Sequence, residues 1–135
     1  MCGAFWRMVV VLVIVVHGIG HALFLAPCLG ITQWGQSAHS WMLTRMLGDI
    51  PTRVIGGFLW LVVIGGFAAA GVGLLGQHAW WRSLTAASAG MSLLALALFV
   101  RAGSTQPILS AGLMDITILV ALLWLRSPSA DLVGA

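Results

Sequence analysis

The chain has 135 residues, 61% of them hydrophobic and 7% charged, with a formal net charge of +3 and a mean hydropathy of +1.08. A soluble domain of this size is about a quarter charged, so the composition excludes one. The six arginines are spread singly along the chain and form no basic face for a nucleic acid.

The chain opens on MCGAFWRMVVVLVIVVHGIGHALFLAPCLG. Arg7 followed by Val9 to Val16 resembles the start of a signal peptide, whose apolar run is about 7–15 residues. Here the run continues to Leu29, interrupted only by His17 and His21. About 20 apolar residues span a bilayer, so residues 8–29 read as a retained first span. His17 and His21, four apart, share one face of that helix. Cys28 falls within about 20° of the same face, and Pro27 beside it predicts a kink. Cys2 and Cys28 stand at opposite ends of the helix, roughly 35–40 Å apart, too far for a disulfide.

Residues 32–53, TQWGQSAHSWMLTRMLGDIPTR, form the one long connection. Trp41, Met42, Arg45 and Met46 fall at helical spacing, and Gly48 with Pro51 reads as a stop. The plain expectation is a short amphipathic helix on the membrane surface; the sharper one is a lid over a cavity.

The second span covers residues 54–75. Gly65, Ala69 and Gly73 are spaced by four along it, a small-residue stripe that lets helix backbones approach. Ala86 and Gly90 repeat the spacing in the third span, residues 83–100. Packing within the bundle is the first reading of both stripes and homo-oligomer packing the second. The fourth span, residues 107–125, carries Asp115 well inside an apolar window. Arg7, Arg53, Arg82, Arg101 and Arg126 mark span edges, as do Trp6, Trp80, Trp81 and Trp124. Arg7, Arg82 and Arg126 fall on one side and Arg45, Arg53 and Arg101 on the other, so charge does not orient the chain. Cytoplasmic termini are expected by analogy with short bacterial-type proteins alone.

Spans one and four run antiparallel in a four-span chain. Rises of 1.5 Å per residue put His17 at about 14 Å depth, His21 at about 20 Å and Asp115 at about 18 Å on the same scale. An ionisable group at membrane depth is costly and turns inward to a partner, and a carboxylate beside an imidazole relieves the desolvation of both. One reading is a structural polar cluster completed by Ser88, Ser92, Ser110 or Thr117. Another is a metal site on His17, His21 and Asp115, although the HxxxH pair lacks the glutamate that makes HExxH specific. A third is a proton path through the same residues. Haem fits less well, because both intramembrane histidines share one helix. No Ser–His–acid, P-loop or dinucleotide pattern occurs.

The histidine pair, the Gln33–Gly35 QWG loop, the glycine-rich second span and the polar residue in the fourth resemble small four-helix bacterial membrane proteins. That likeness implies a fold and carries no functional residues. The expectation is an all-α four-helix transmembrane bundle over residues 1–135, with a short interfacial helix between spans one and two. It is a multi-pass protein of a bacterial inner (plasma) membrane. Its function is either to hold a small ligand, metal or proton path at His17, His21 and Asp115, alone or as an accessory subunit, or to act as a membrane-embedded enzyme on a lipid-soluble substrate.

Overall fold

The computed structural model describes residues 2–31 and 35–133, and every regular element among them is helical. The elements are α1 (Cys2–Gly20), α2 (Ala22–Cys28), α3 (Leu43–Leu47), α4 (Asp49–Leu75), α5 (Trp81–Leu98), α6 (Thr105–Leu119), a π-helical segment (Val120–Trp124) and α7 (Ala130–Val133). Gln33, Trp34 and the Cys2 side chain lie outside the described residues; Cys28 is a buried thiol.

Among the described residues three helical stretches are long and apolar enough to cross a membrane: Gly3–Cys28, Asp49–Leu75 and Thr105–Trp124. Helix α5 is not among them, because its first turn carries Arg82 and Ser83 and Thr85, Ser88 and Ser92 follow. Thr85 and Ser88 return their hydroxyl protons to Trp81 O and Leu84 O of their own helix.

Helix α4 packs against both α1 and α5, and α6 packs against α5, leaving α1 and α6 to face each other across the loosest seam. Two apolar clusters fill the interior. One joins Val11, Ile14, Phe67, Leu74, Ala89 and Ile118, with Val133 of α7 tucked into it. The other joins Phe24, Trp60, Ala95, Leu96 and Ile108. Between the two clusters lie polar residues: His17 and His21 at the α1–α2 junction, Ser92 of α5 and Asp115 of α6. Outward faces stay apolar, as at Leu12, Val16, Phe58, Val72, Leu113 and Leu123.

The first helical stretch breaks at His21, six residues before the expected kink; Pro27 sits inside α2. The His21 N–H bonds to Gly18 O at 3.2 Å, while His21 Nδ1 takes His17 O at 3.0 Å. A side chain that occupies a ladder carbonyl is a recognised cause of a bend. Gly48, at φ +86°, ends α3 and leads into α4. Pro51 is no stop: it lies in the first turn of α4, where its missing N–H would have had no partner in any case.

Residues 35–47 are tied to the α5–α6 end of the molecule. Ser37 N–H donates to Ala102 O, Gln36 Nε2 to Ser104 Oγ, and Trp41 Nε1 to Ala97 O. Ser40 is fully buried; its hydroxyl donates to Leu98 O at 2.6 Å and accepts from Leu43 N–H at 3.2 Å. Ser40→Ala removes both bonds and strands an α3 amide, so α3 should exchange its amide protons roughly tenfold faster, matching a loss of about 1–2 kcal/mol. Unchanged exchange there would show that the other ties suffice.

The stripe of Gly65, Ala69 and Gly73 is not where the helices meet. Gly65 and Ala69 face outward; a Cβ added at Gly65 would meet nothing within 4 Å, and Gly90 is equally open. Ala86 is half-buried. A Cβ on Gly73 would meet the Trp80 ring at 2.6 Å, which belongs to the turn before α5 and not to a facing helix. Tight contacts occur instead at Gly18, against Phe67; at Gly56, against Phe99 and Cys28; at Gly66, against Ser88; and at Gly71, against Val15.

Candidate functional site

Asp115 is fully buried and lies opposite the break between α1 and α2. His17 Nε2–H donates to Asp115 Oδ1 at 2.7 Å, across the loose α1–α6 seam. His21 Nε2 stands 3.8 Å from the second carboxylate oxygen, Oδ2, and makes its hydrogen bond to Ser92 Oγ at 2.6 Å. Donation from Nδ1 to His17 O makes neutral His21 the Nδ1–H tautomer, so Nε2 accepts the Ser92 hydroxyl proton. Asp115 Oδ2 has no hydrogen-bond partner among the described residues.

The structure thus brings His17, His21 and Asp115 together, with ligand atoms of all three within 4.8 Å of one another. Of the four hydroxyl side chains considered from sequence, only Ser92 hydrogen-bonds to the group. Thr117 and Ser110 bond back to Leu113 O and Pro107 O, and Ser88 bonds within α5. Cys28 is also elsewhere: it follows the break and lines a different cavity.

Aromatic rings wall the histidines. Phe67 meets His17 edge-on, with centroids 5.1 Å apart, and stacks on His21 at 5.9 Å. Trp60 lies 5.7 Å from His21 and stacks on Phe24 at 5.0 Å. Sequence reading missed these walls. The available signal was the seven-residue spacing of Trp60 and Phe67, which puts both on one face of α4.

A cavity of about 290 Å³ opens beside the pair, lined by His17, His21, Phe24, Pro107, Ser110 and Ala111 among others. His17 is about 10% exposed and His21 about 1%, whereas Asp115 is fully buried and does not line it. None of the described residues of the 32–53 connection lines this cavity, so the lid expectation is not met there.

Chemically, the group offers a carboxylate with one free oxygen, an imidazole in the cavity wall that donates to it, and a second imidazole fixed by a backbone carbonyl and a hydroxyl. Such a set can hold a proton between oxygen and nitrogen, hydrogen-bond a small molecule, or offer three ligands to a metal ion. Comparison with known protein families, curated proteins and solved structures finds no match to this chain.

Proposed function

We propose that this is a four-span membrane protein of a bacterial-type plasma membrane that holds a small lipid-soluble ligand at His17 and exchanges a proton with it through Asp115. The observation carrying this reading is the 2.7 Å His17–Asp115 bond in the wall of the 290 Å³ cavity, with Asp115 Oδ2 left unpartnered among the described residues. A buried polar atom without a partner costs about 1–3 kcal/mol, so its retention supports a working role over a purely structural one. Helix α5 supplies the fourth span, and its polar Ser92 is accounted for by the inward bond to His21. The outward faces at Gly65 and Gly90 are suited to a neighbouring membrane helix, of a second copy or of a larger complex.

The test is mass spectrometry of small molecules that co-purify with protein in its native lipid. Wild type should carry an organic ligand that is depleted at least about tenfold in Asp115→Asn and His17→Ala, a change of about 1.4 kcal/mol or more in binding. Identical profiles in all three would overturn the reading. Chemical conversion of that ligand by wild type alone would make the protein an enzyme.

One observation favours a second reading, a bound divalent metal. His21 Nδ1 donates to a backbone carbonyl, the arrangement that commonly orients a metal-ligating imidazole, and the three side chains could converge on one ion. Elemental analysis decides this: about one equivalent of zinc or a similar ion, lost in His21→Ala, would replace the proton-exchange reading.

The four-span topology predicts that Cys2 and an introduced Ser37→Cys react with an impermeant maleimide from opposite sides of the membrane. Labelling of both from one side would mean that the first helical stretch does not cross, and the four-span topology would fall.

A further inference from the structure

A cavity of about 460 Å³ lies away from the histidines, where the end of α2 meets the start of α4. Its lining includes Cys28, Arg53, Val54, Gly57, Phe58 and Leu61. Positions 54, 57, 58 and 61 make one face of α4, and Val54, Phe58 and Leu61 expose more than half of their surface there. The groove is apolar along its length except at one end, where Arg53 stands.

Arg53 is held at that end. Its Nη2 donates to Cys28 O at 3.4 Å, at the carbonyl end of α2, where a cation is favoured. It also lies 3.1 Å from the position a Gly30 side chain would occupy. Gly30 has φ +86°, so a larger residue would be strained there as well as crowding the guanidinium. A guanidinium has five N–H donors, and among the described residues Arg53 makes this one hydrogen bond. Among the described residues no carboxylate lies within 4 Å of it; the only ion pairs there are those of Asp115. Asp49, one turn earlier on α4, makes no bond to it.

A cation with unused donors at the head of an apolar groove complements one class of ligand, an anion carrying a long apolar chain. Arg53 lies in the second turn of α4, at the edge of a stretch able to cross the membrane, where lipid phosphates would sit. We infer that this groove is a binding site for a single anionic phospholipid, its phosphate on Arg53 and one acyl chain along Val54, Phe58 and Leu61. The groove offers no carboxylate for a cationic headgroup such as choline. This inference needs α4 to lie in a bilayer and is independent of what His17 and Asp115 do.

Native mass spectrometry of the full chain in detergent, with added phosphatidylglycerol or phosphatidylcholine, tests it. One phosphatidylglycerol per chain should be retained at concentrations where phosphatidylcholine is not. Arg53→Gln should weaken that retention about tenfold, as expected for loss of a charge-assisted contact. Phe58→Ala, at an exposed position that leaves Arg53 in place, should weaken it severalfold. Equal retention of the two lipids, or retention of phosphatidylglycerol unaltered in both variants, overturns the proposal. Failure of the histidine-site experiments would leave these outcomes unchanged.

Discussion

Asp115→Ala should lower the unfolding free energy by about 2–4 kcal/mol. Two magnitudes bracket this value. Single hydrogen bonds between membrane helices average about 0.6 kcal/mol and reach about 1.7. Removing one partner of a buried ion pair costs about 3–5 kcal/mol, because the other is left uncompensated. Asp115 is fully buried and bonded to His17 across the loosest seam, so its loss exceeds that of an ordinary polar contact. Thr117→Ala, two residues along at an exposed position with only a bond to its own helix, should cost well under 1 kcal/mol. Replacing His17, His21 and Asp115 together by leucine should recover most of the loss, since well-packed apolar groups often substitute for a buried pair. Thermal melting in one fixed detergent ranks the variants. An Asp115→Ala protein that melts like wild type would show that the pair contributes nothing to stability, and a recovered triple variant without ligand would separate working from structural roles.

The second large effect is expected at Gly18. A Cβ there would lie 2.6 Å from Phe67 Cβ, and neither atom is at the end of a flexible chain. Gly18→Ala should therefore force α1 and α4 apart and cost about 1–3 kcal/mol, with Gly18→Leu worse. The paired control is Gly20→Ala, two residues on, where nothing lies within 4 Å. Helix propensity favours both changes by up to about 1 kcal/mol, so the difference between them isolates the clash. Phe67 is also the ring edge-on to His17, so the Gly18 variants should lose bound ligand together with stability. Equal melting of the two alanine variants would refute close packing here. Gly65→Leu should leave the monomer's stability unchanged, and a change in its assembly state would assign that outward face to a partner.

Helix positions were legible in the sequence because the apolar runs are long and the polar interruptions few. Residues 54–75 fall within α4, and 83–100 lies within two residues of α5 at each end. The proximity of Asp115 to the histidines was legible for a simpler reason: two antiparallel helices of fixed rise convert residue number into depth. Which small residues make the helix contacts was not legible. Gly65 and Gly66 differ by about 100° around α4, and a spacing-by-four rule selects both faces without saying which one meets α5. The break at His21 was hidden too. Proline advertises a kink by its chemistry, whereas His21 makes one only because its ring reaches a carbonyl of its own helix, a three-dimensional fact.

That ring contact makes the bend conditional. In an unbroken helix the His17 carbonyl would accept the His21 amide proton; here the amide goes to Gly18 and the imidazole takes its place. The His21 amide and the His21 imidazole are therefore rivals for one acceptor, and here the imidazole holds it. A ring turned off His17 O would give up its Ser92 bond in the same motion, so the two contacts of the imidazole stand or fall together. Since α2 contributes Phe24 to one cavity and Cys28 to the other, the turn at His21 places lining residues of both.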